Sequence, residues 1–577
     1  MVNEKKILHF RRPEDAPFTA DERAEVTILL GGLTWKHERL IQAVLQRSGQ
    51  QSECLPQPDR DAHEIGKEYC GNNLCNPVYF TVGNLIKRLR ELEQGGLTHS
   101  EIIRKYIFFT AGSCGPCRYG MYEAEFRAAL AAANFGGFRV VLFLQDHGIK
   151  ASSGQSGMPF SVDFGMDALH AFVLGDLLND VHRQLRAYES SPGEADRVVS
   201  AVVSHLAAYF RSAPYFDLAE SAPRWLREAL HRHRTSAVFR RLNTIAKIYE
   251  HLCGCGLTDE LRHCQKLISG MEVNHLQLKP KVKVIGEFWA QLTEGDGNFR
   301  MFEFLEKEGA EVSVEPISTW LMYLLHQAKR RSEVLRRLTG HEQPWSHPLR
   351  ASAARLRSAL KRALFSMAEW IYRKHYCRLA EALGEFSVPL TSQSELAALA
   401  EPHYCSTLRG GEGHLEVAKN LYYTKHRRCH MVLALKPFGC LPSMQSDAVQ
   451  ASLMEKTPEM IFLAVETAGE GEIHAYSRVQ MALADAKNKA RQEFAEVLAA
   501  SRHSKEEIRE FVHSHLELQD PLYRFPQRPG VIATAANFVL HVDELMGRSS
   551  NISAGKVLGK DSSRHDRGRR RAFATGD

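Results

Sequence analysis

Tyr106-Ile-Phe-Phe-Thr110 runs without a break into Ala111-Gly-Ser-Cys114-Gly-Pro-Cys117. A short apolar, β-favouring run closed by glycine reads as a buried strand. It ends on two cysteines held by a Gly-Pro turn, and the carboxyl ends of strands are where open α/β sheets place their sites. Two neighbouring stretches repeat the pattern. Glu25-Val-Thr-Ile-Leu-Leu30 leads through Gly31-Gly32-Leu-Thr34 into an amphipathic stretch from His37 to Arg47, a strand-turn-helix unit, and Phe138 to Leu144 is a further strand that stops at Gln145-Asp-His-Gly148.

Periodicity organises the rest. Residues 167–178, 195–211 and 222–253 carry helical spacing. Val282-Lys-Val-Ile-Gly286 opens a second α/β segment, with a loop Thr293 to Asn298, a helix Met301 to Glu308 and a strand Glu311 to Glu315 that stops at Pro316; residues 323–388 return to helix. A third segment holds Gly410-Gly411-Glu412-Gly413 before a helix, the strand Met431 to Leu435 ending at Lys436-Pro-Phe-Gly-Cys440, and the strand Met460 to Glu466. The expected fold is α/β, several Rossmann-like open-sheet domains with helical insertions around the cysteine-bearing strand ends. The expected division is an N-terminal extension (1–24), a first α/β domain (25–165), a helical insertion (166–280), a second α/β and helical segment (281–395), a third α/β segment with Cys440 (396–500), and a C-terminal helix with a mobile basic tail (501–577).

At 577 residues, 44% apolar and 25% charged, the chain is an ordinary globular protein of several domains. The net charge of +6 is small, and the tail from Gly555 carries seven Lys/Arg against three Asp, so nucleic acid is an unfavoured partner. The start Met1-Val-Asn-Glu-Lys-Lys has no apolar export region, and no run is long enough to span a bilayer. A cytoplasmic location is expected, where the twelve cysteines stay reduced and favour metal or redox chemistry over disulfides.

Those cysteines are the chemical signal. Cys70-Gly-Asn-Asn-Leu-Cys75, Cys114-Gly-Pro-Cys117 and Cys440 sit beside Gly/Pro turns, and short spacings let one loop offer two thiolates to an inorganic core. The same spacings serve a structural zinc knuckle, and cysteines also fill apolar space. Cys405, just before the Gly-rich turn, brings the candidate ligands to six, with Cys429 and the Cys253-Gly-Cys255…Cys264 group as alternatives. Gly410, Gly411 and Gly413 could face a phosphate or form a plain turn. Glu287, Glu294, Asp296 and Glu466 follow strands and are candidates for proton transfer or for capping. Arg118 and Lys436 flank the cysteines and could offset negative charge or pair with a carboxylate.

The strings Glu68-Tyr-Cys70-Gly-Asn-Asn-Leu-Cys75-Asn-Pro77, Thr110-Ala-Gly-Ser-Cys114-Gly-Pro-Cys117-Arg-Tyr-Gly-Met-Tyr-Glu123, Gly286-Glu-Phe288 with Glu294-Gly-Asp-Gly297, Lys436-Pro-Phe-Gly-Cys440-Leu-Pro-Ser443 and Tyr476-Ser-Arg478-Val-Gln-Met481 resemble the C-terminal region of acyl-CoA dehydratase activase-related proteins. That region is similar to the 2-hydroxyacyl-CoA dehydratase D-component and the double-cubane cluster proteins, and the resemblance spans roughly residues 25–500. It implies Rossmann-like domains around a [4Fe–4S] or double-cubane [8Fe–9S] cluster. It also implies an ATP-dependent activase as electron-donating partner, and an acyl-CoA or other small substrate. In the dehydratases the injected electron makes a ketyl radical that lets water leave. No Gly-x-x-x-x-Gly-Lys-Ser/Thr loop is present, so electrons are expected from a separate protein docking near Arg118, Glu123 and Arg127. A homodimer is a further expectation.

Overall fold

A computed structural model describes residues 16–112, 117–144, 157, 161–340, 348–387, 389–408 and 411–557. Among the described residues eight strands form two separate sheets. The first contains β1 (Thr27–Leu30), β2 (Ser52–Cys54), β3 (Tyr106–Gly112) and β4 (Arg139–Leu144) in the order β2-β1-β3-β4. The second contains β5 (Lys281–Gly286), β6 (Glu311–Val314), β7 (Met431–Pro437) and β8 (Phe462–Thr467) in the order β6-β5-β7-β8. Every neighbouring pair is parallel, so both halves share one topology, that of an open α/β sheet with helical insertions.

Parallel sheets need cover on both faces, which is why their strands read as continuous apolar runs. Leu29, Phe108 and Val140 pack on Val78, Val82 and Phe126, while Ile28, Leu30, Ile107 and Val141 face Phe18 and Leu45. In the second half, Val282, Val284, Leu433 and Leu435 pack on Leu305, Val479 and Leu483, with Ile285, Val432 and Ala434 on the opposite side.

The domain boundaries differ from the sequence expectation in two places. Segments 281–395 and 396–500 are one domain, because β5 pairs directly with β7, Val284 opposite Leu433. The helical layer is likewise not confined to 166–280. Helices Val162–Tyr188, Glu194–Ser212, Gly256–Ile268 and Pro348–Leu383 share one core around Leu174, Leu206, Leu261 and Tyr376. Helices Glu472–Ala500, Lys505–Ser514 and Thr534–Val557 add a small C-terminal core around Phe538 and Ile508. Residues 1–15 of the N-terminal extension and 558–577 of the basic tail lie outside the described residues. Among the described residues no helix is long and apolar enough to cross a membrane.

A buried ion pair ties β5 to the end of β6. Glu315 accepts from Lys283 Nζ at 3.1 Å, Thr319 Oγ1 at 2.8 Å and Tyr423 Oη at 3.0 Å. Burial pushes its carboxyl up, but Lys283, Lys419 and Thr319 outweigh this and hold it at about 2, below the ordinary 4.5. A depressed folded-state pKa contributes stability that is present above the unfolded value and lost as pH falls. Glu315→Gln is therefore expected to cost about 3 kcal/mol near neutrality by leaving Lys283 unpaired. The gap to the wild type in urea midpoint should close as pH drops from about 5 toward 2; a gap independent of pH would remove Glu315 from the acid limb.

Candidate functional site

The carboxyl ends of β3 and β7 face one pocket between the two sheets. Its walls carry three thiols, Cys75 and Cys117 from the first half and Cys440 from the second, together with Glu287, Arg118, Tyr119 and Tyr122. Local sequence explains each arrival. Cys75 is the N-cap of helix Asn76–Gln94 and Cys440 that of helix Leu441–Lys456, and each is followed by proline in the first turn, where a missing N–H costs nothing. Cys117 opens the turn Arg118–Met121 after β3.

Two glycines shape the pocket, one within the second sheet and one between the halves. Gly286 has φ +130°, and a Cβ there would run into the Leu435 carbonyl of β7. Only glycine permits that approach, and the next residue, Glu287, is thereby delivered to the pocket. Gly439 has φ +77°, and a Cβ there would lie 3.3 Å from the Leu74 carbonyl oxygen, while the Asn76 N–H donates to the Phe438 carbonyl at 3.1 Å. Cys75 and Cys440 are thus fixed on adjoining backbone from opposite halves. Lys36 pairs with Glu294 across the same interface at 3.3 Å, and Phe80 packs on Trp289 with ring centroids 5.5 Å apart.

Burial sets the protonation. It pushes the Cys75 thiol up to about 11 and the Cys117 thiol to about 12, and it raises the Cys440 thiol further, with the Glu287 carboxylate adding to each. Glu287 itself is pushed up to about 7 by burial. Tyr122 Oη lies 2.9 Å from Cys75 Sγ. These shifts favour protonated thiols at neutral pH and a carboxyl that titrates there. Metal ligation displaces thiol protons, and this pocket has the features that repay their loss: two long helices aim their N-termini at it, which favours negative charge, and Arg118, hydrogen-bonded to the Asn73 carbonyl, lowers the Cys75 thiol. Three soft donors beside this positive potential fit a thiolate-ligated metal core.

The other expected residues lie elsewhere. Cys114 is outside the described residues. Cys70 caps the C-terminal end of helix Arg60–Tyr69 and sits in the first domain's apolar core, its thiol pushed up to about 12 by burial and by Glu125. Cys405 is exposed and bonded to Thr407 Oγ1 at 3.0 Å, which lowers its thiol. Neither is among the residues lining the pocket. Cys264 fills the helical core, Cys429 packs under β7, and Cys253 and Cys255 are exposed.

Of the acids, only Glu287 reaches the pocket. Glu294 pairs with Lys36, Asp296 with Arg300, and Glu466 is exposed. Gly410 is outside the described residues. Gly411 packs on Pro442, and the first turn of the following helix holds buried Glu412 and Glu416, which disfavours phosphate there. Lys436 is buried on Glu416 and Asp447. Arg127 and Glu123 bond to each other at 3.0 Å. Tyr122 was not singled out in the sequence; its spacing of five residues after Cys117, one short turn and the start of a helix, is the pattern that returns a side chain to the same cavity.

Compared with known proteins, the chain matches no family model and no curated protein.

Proposed function

We propose that this chain carries an iron–sulfur cluster in the pocket between its two α/β domains, with Cys75, Cys117 and Cys440 among its ligands, and serves as the dehydratase or reductase component of an ATP-dependent, low-potential electron-transfer system. The supporting observation is the convergence of three thiols, separated by 42 and 323 residues of sequence, on the strand ends of both sheets. A bound cluster supplies single electrons at low potential. The chain's own groups supply the rest. Glu287, titrating near 7, can take up or give a proton without a large driving force. Tyr122 holds its hydroxyl on Cys75, and the helix N-termini with Arg118 offset added negative charge.

The free space among these side chains is about 20 Å3, room for about one water molecule. Seating a cluster or the acyl end of a substrate there requires the lining side chains to part, and the nucleotide of an acyl-CoA would lie outside the pocket. A cytoplasmic setting and an ATP-hydrolysing activase as partner belong to the same reading. The mutual pairing of Glu123 and Arg127 leaves Arg118 and exposed Met121 as the better contacts for that partner.

Zinc is the second reading, because thiols and a carboxylate are donors it takes, although among the described residues no three of the pocket's thiol and carboxylate donors lie within 4.8 Å of one another. Glu287→Gln separates the two. Under the iron–sulfur reading bound iron is retained while turnover of a 2-hydroxyacyl-CoA, supplied with an activase, ATP and a strong reductant, falls by about 100-fold or more. Loss of the metal from a colourless protein would favour zinc. ATP hydrolysis by the purified chain alone, or turnover with a mild donor alone, would contradict partner-dependent reduction.

A further inference from the structure

The helical layer holds a second group of ligating side chains. Helix Val162–Tyr188 places Asp163, Asp167 and His170 on one face by their four- and three-residue spacing. Helix Ala237–Cys253 brings Lys247 and His251 against them. One donor atom each from Asp167, His170 and His251 lies within 4.8 Å of the others. Asp167 and His170 are each 3% exposed, and His170 Nε2 has no hydrogen-bond partner. A buried imidazole nitrogen left so is costly unless something else occupies its lone pair.

The surroundings are those of a ligand shell. His251 Nε2 lies 3.3 Å from Asp163 Oδ1, and its Nδ1 lies 3.7 Å from Asp167 Oδ1. A carboxylate on the far nitrogen fixes the tautomer that leaves the near one free to ligate. Arg47 holds the other oxygen of Asp167, and Lys247 holds that of Asp163. Both carboxylates are oriented and already neutralised, so affinity must come from the ligand bonds. The His375 ring packs tilted against His170 with centroids 4.9 Å apart, and Arg378 closes the C-terminal carbonyls of the second helix at Leu252, Cys253 and Gly254.

We propose that Asp167, His170 and His251 bind one zinc-type divalent transition-metal ion that staples helix Ala237–Cys253 to helix Val162–Tyr188. Two imidazoles and a carboxylate form a borderline donor set that such ions favour, with a fourth position open to water. Bonds of about 2.0–2.1 Å in a tetrahedral shell bring donors to about 3.3 Å, so the widest pair closes by about 1.5 Å, within reach of side-chain torsions. The staple answers a specific weakness. Helix Ala237–Cys253 buries only Phe239 and turns Val238, Leu242, Ile245 and Tyr249 outward, each more than half exposed. Apolar burial alone holds it poorly, and metal binding contributes directly to local folding.

The test uses the full chain carrying Cys75→Ser, Cys117→Ser and Cys440→Ser, which removes the three thiols that line the interdomain pocket among the described residues. Added zinc should bind, and its X-ray absorption fine structure should show nitrogen and oxygen neighbours at about 2.0–2.1 Å and no sulfur at about 2.3 Å. Adding His251→Gln to that background should weaken zinc binding at least about tenfold. Unchanged affinity, or a sulfur shell, would overturn the proposal. The unsubstituted chain gives an independent readout: zinc should slow amide hydrogen exchange across residues 237–253, and equal exchange with and without zinc would overturn it too.

Discussion

A chain carrying Cys117→Ser and Cys440→Ser together should leave anaerobic purification colourless, with its iron reduced at least about tenfold and its far-ultraviolet circular dichroism unchanged. Serine keeps the shape of each side chain but replaces a soft thiolate by a poor iron ligand. The two positions follow strands of different sheets, and of the three thiols lining the pocket only Cys75 remains in the double variant. Cys429→Ser is the control, because Cys429 is buried under β7 and away from the pocket; its iron should match the wild type. Full iron retention in the double variant would mean that these thiols are core residues that happen to meet.

Gly286→Val should abolish folding of the second domain. The substituent needs φ near +130°, which a β-branched residue does not adopt, and its Cβ would overlap the Leu435 carbonyl at the β5–β7 pairing. Neither strand can retreat, since β7 is buried along its whole length. A cost of at least about 5 kcal/mol is expected, as large as the total stability of many domains. Thermal unfolding or the yield of soluble chain checks this. A soluble variant with a melting temperature within a few degrees of the wild type would show that the strand approach is not obligatory.

The strands around Ile107, Val284 and Leu433 were legible because each is an apolar run closed by Gly, Pro or Cys, the mark of a strand covered on both faces. Strand β2, Ser52-Glu-Cys54, was not, being three partly exposed residues at a sheet edge. The union of β5 with β7 was also hidden. About 145 residues, with β6 among them, separate the two strands, and parallel pairing leaves no local signature at either partner. Helix 222–253 breaks at 233–236, where His233, Arg234 and Thr235 offer no apolar residue to bury.

In the site, the turn residues beside Cys75, Cys117 and Cys440 pointed correctly to helix starts and strand ends. Cys70 has the same kind of neighbours, yet it closes a helix and faces the core. Local chemistry specifies a turn, whereas the opposing domain decides which thiols meet. Tyr122 and the Asp167, His170 and His251 group depend on contacts between distant elements, and neither forms a recognisable string.

The central claim is tested most directly by the metal content of the unsubstituted chain, purified or reconstituted without oxygen. Iron and acid-labile sulfide should be present together, at four or more of each per chain, in a brown protein whose charge-transfer absorption bleaches on reduction. A chain that binds zinc under these conditions and contains no labile sulfide would contradict the account.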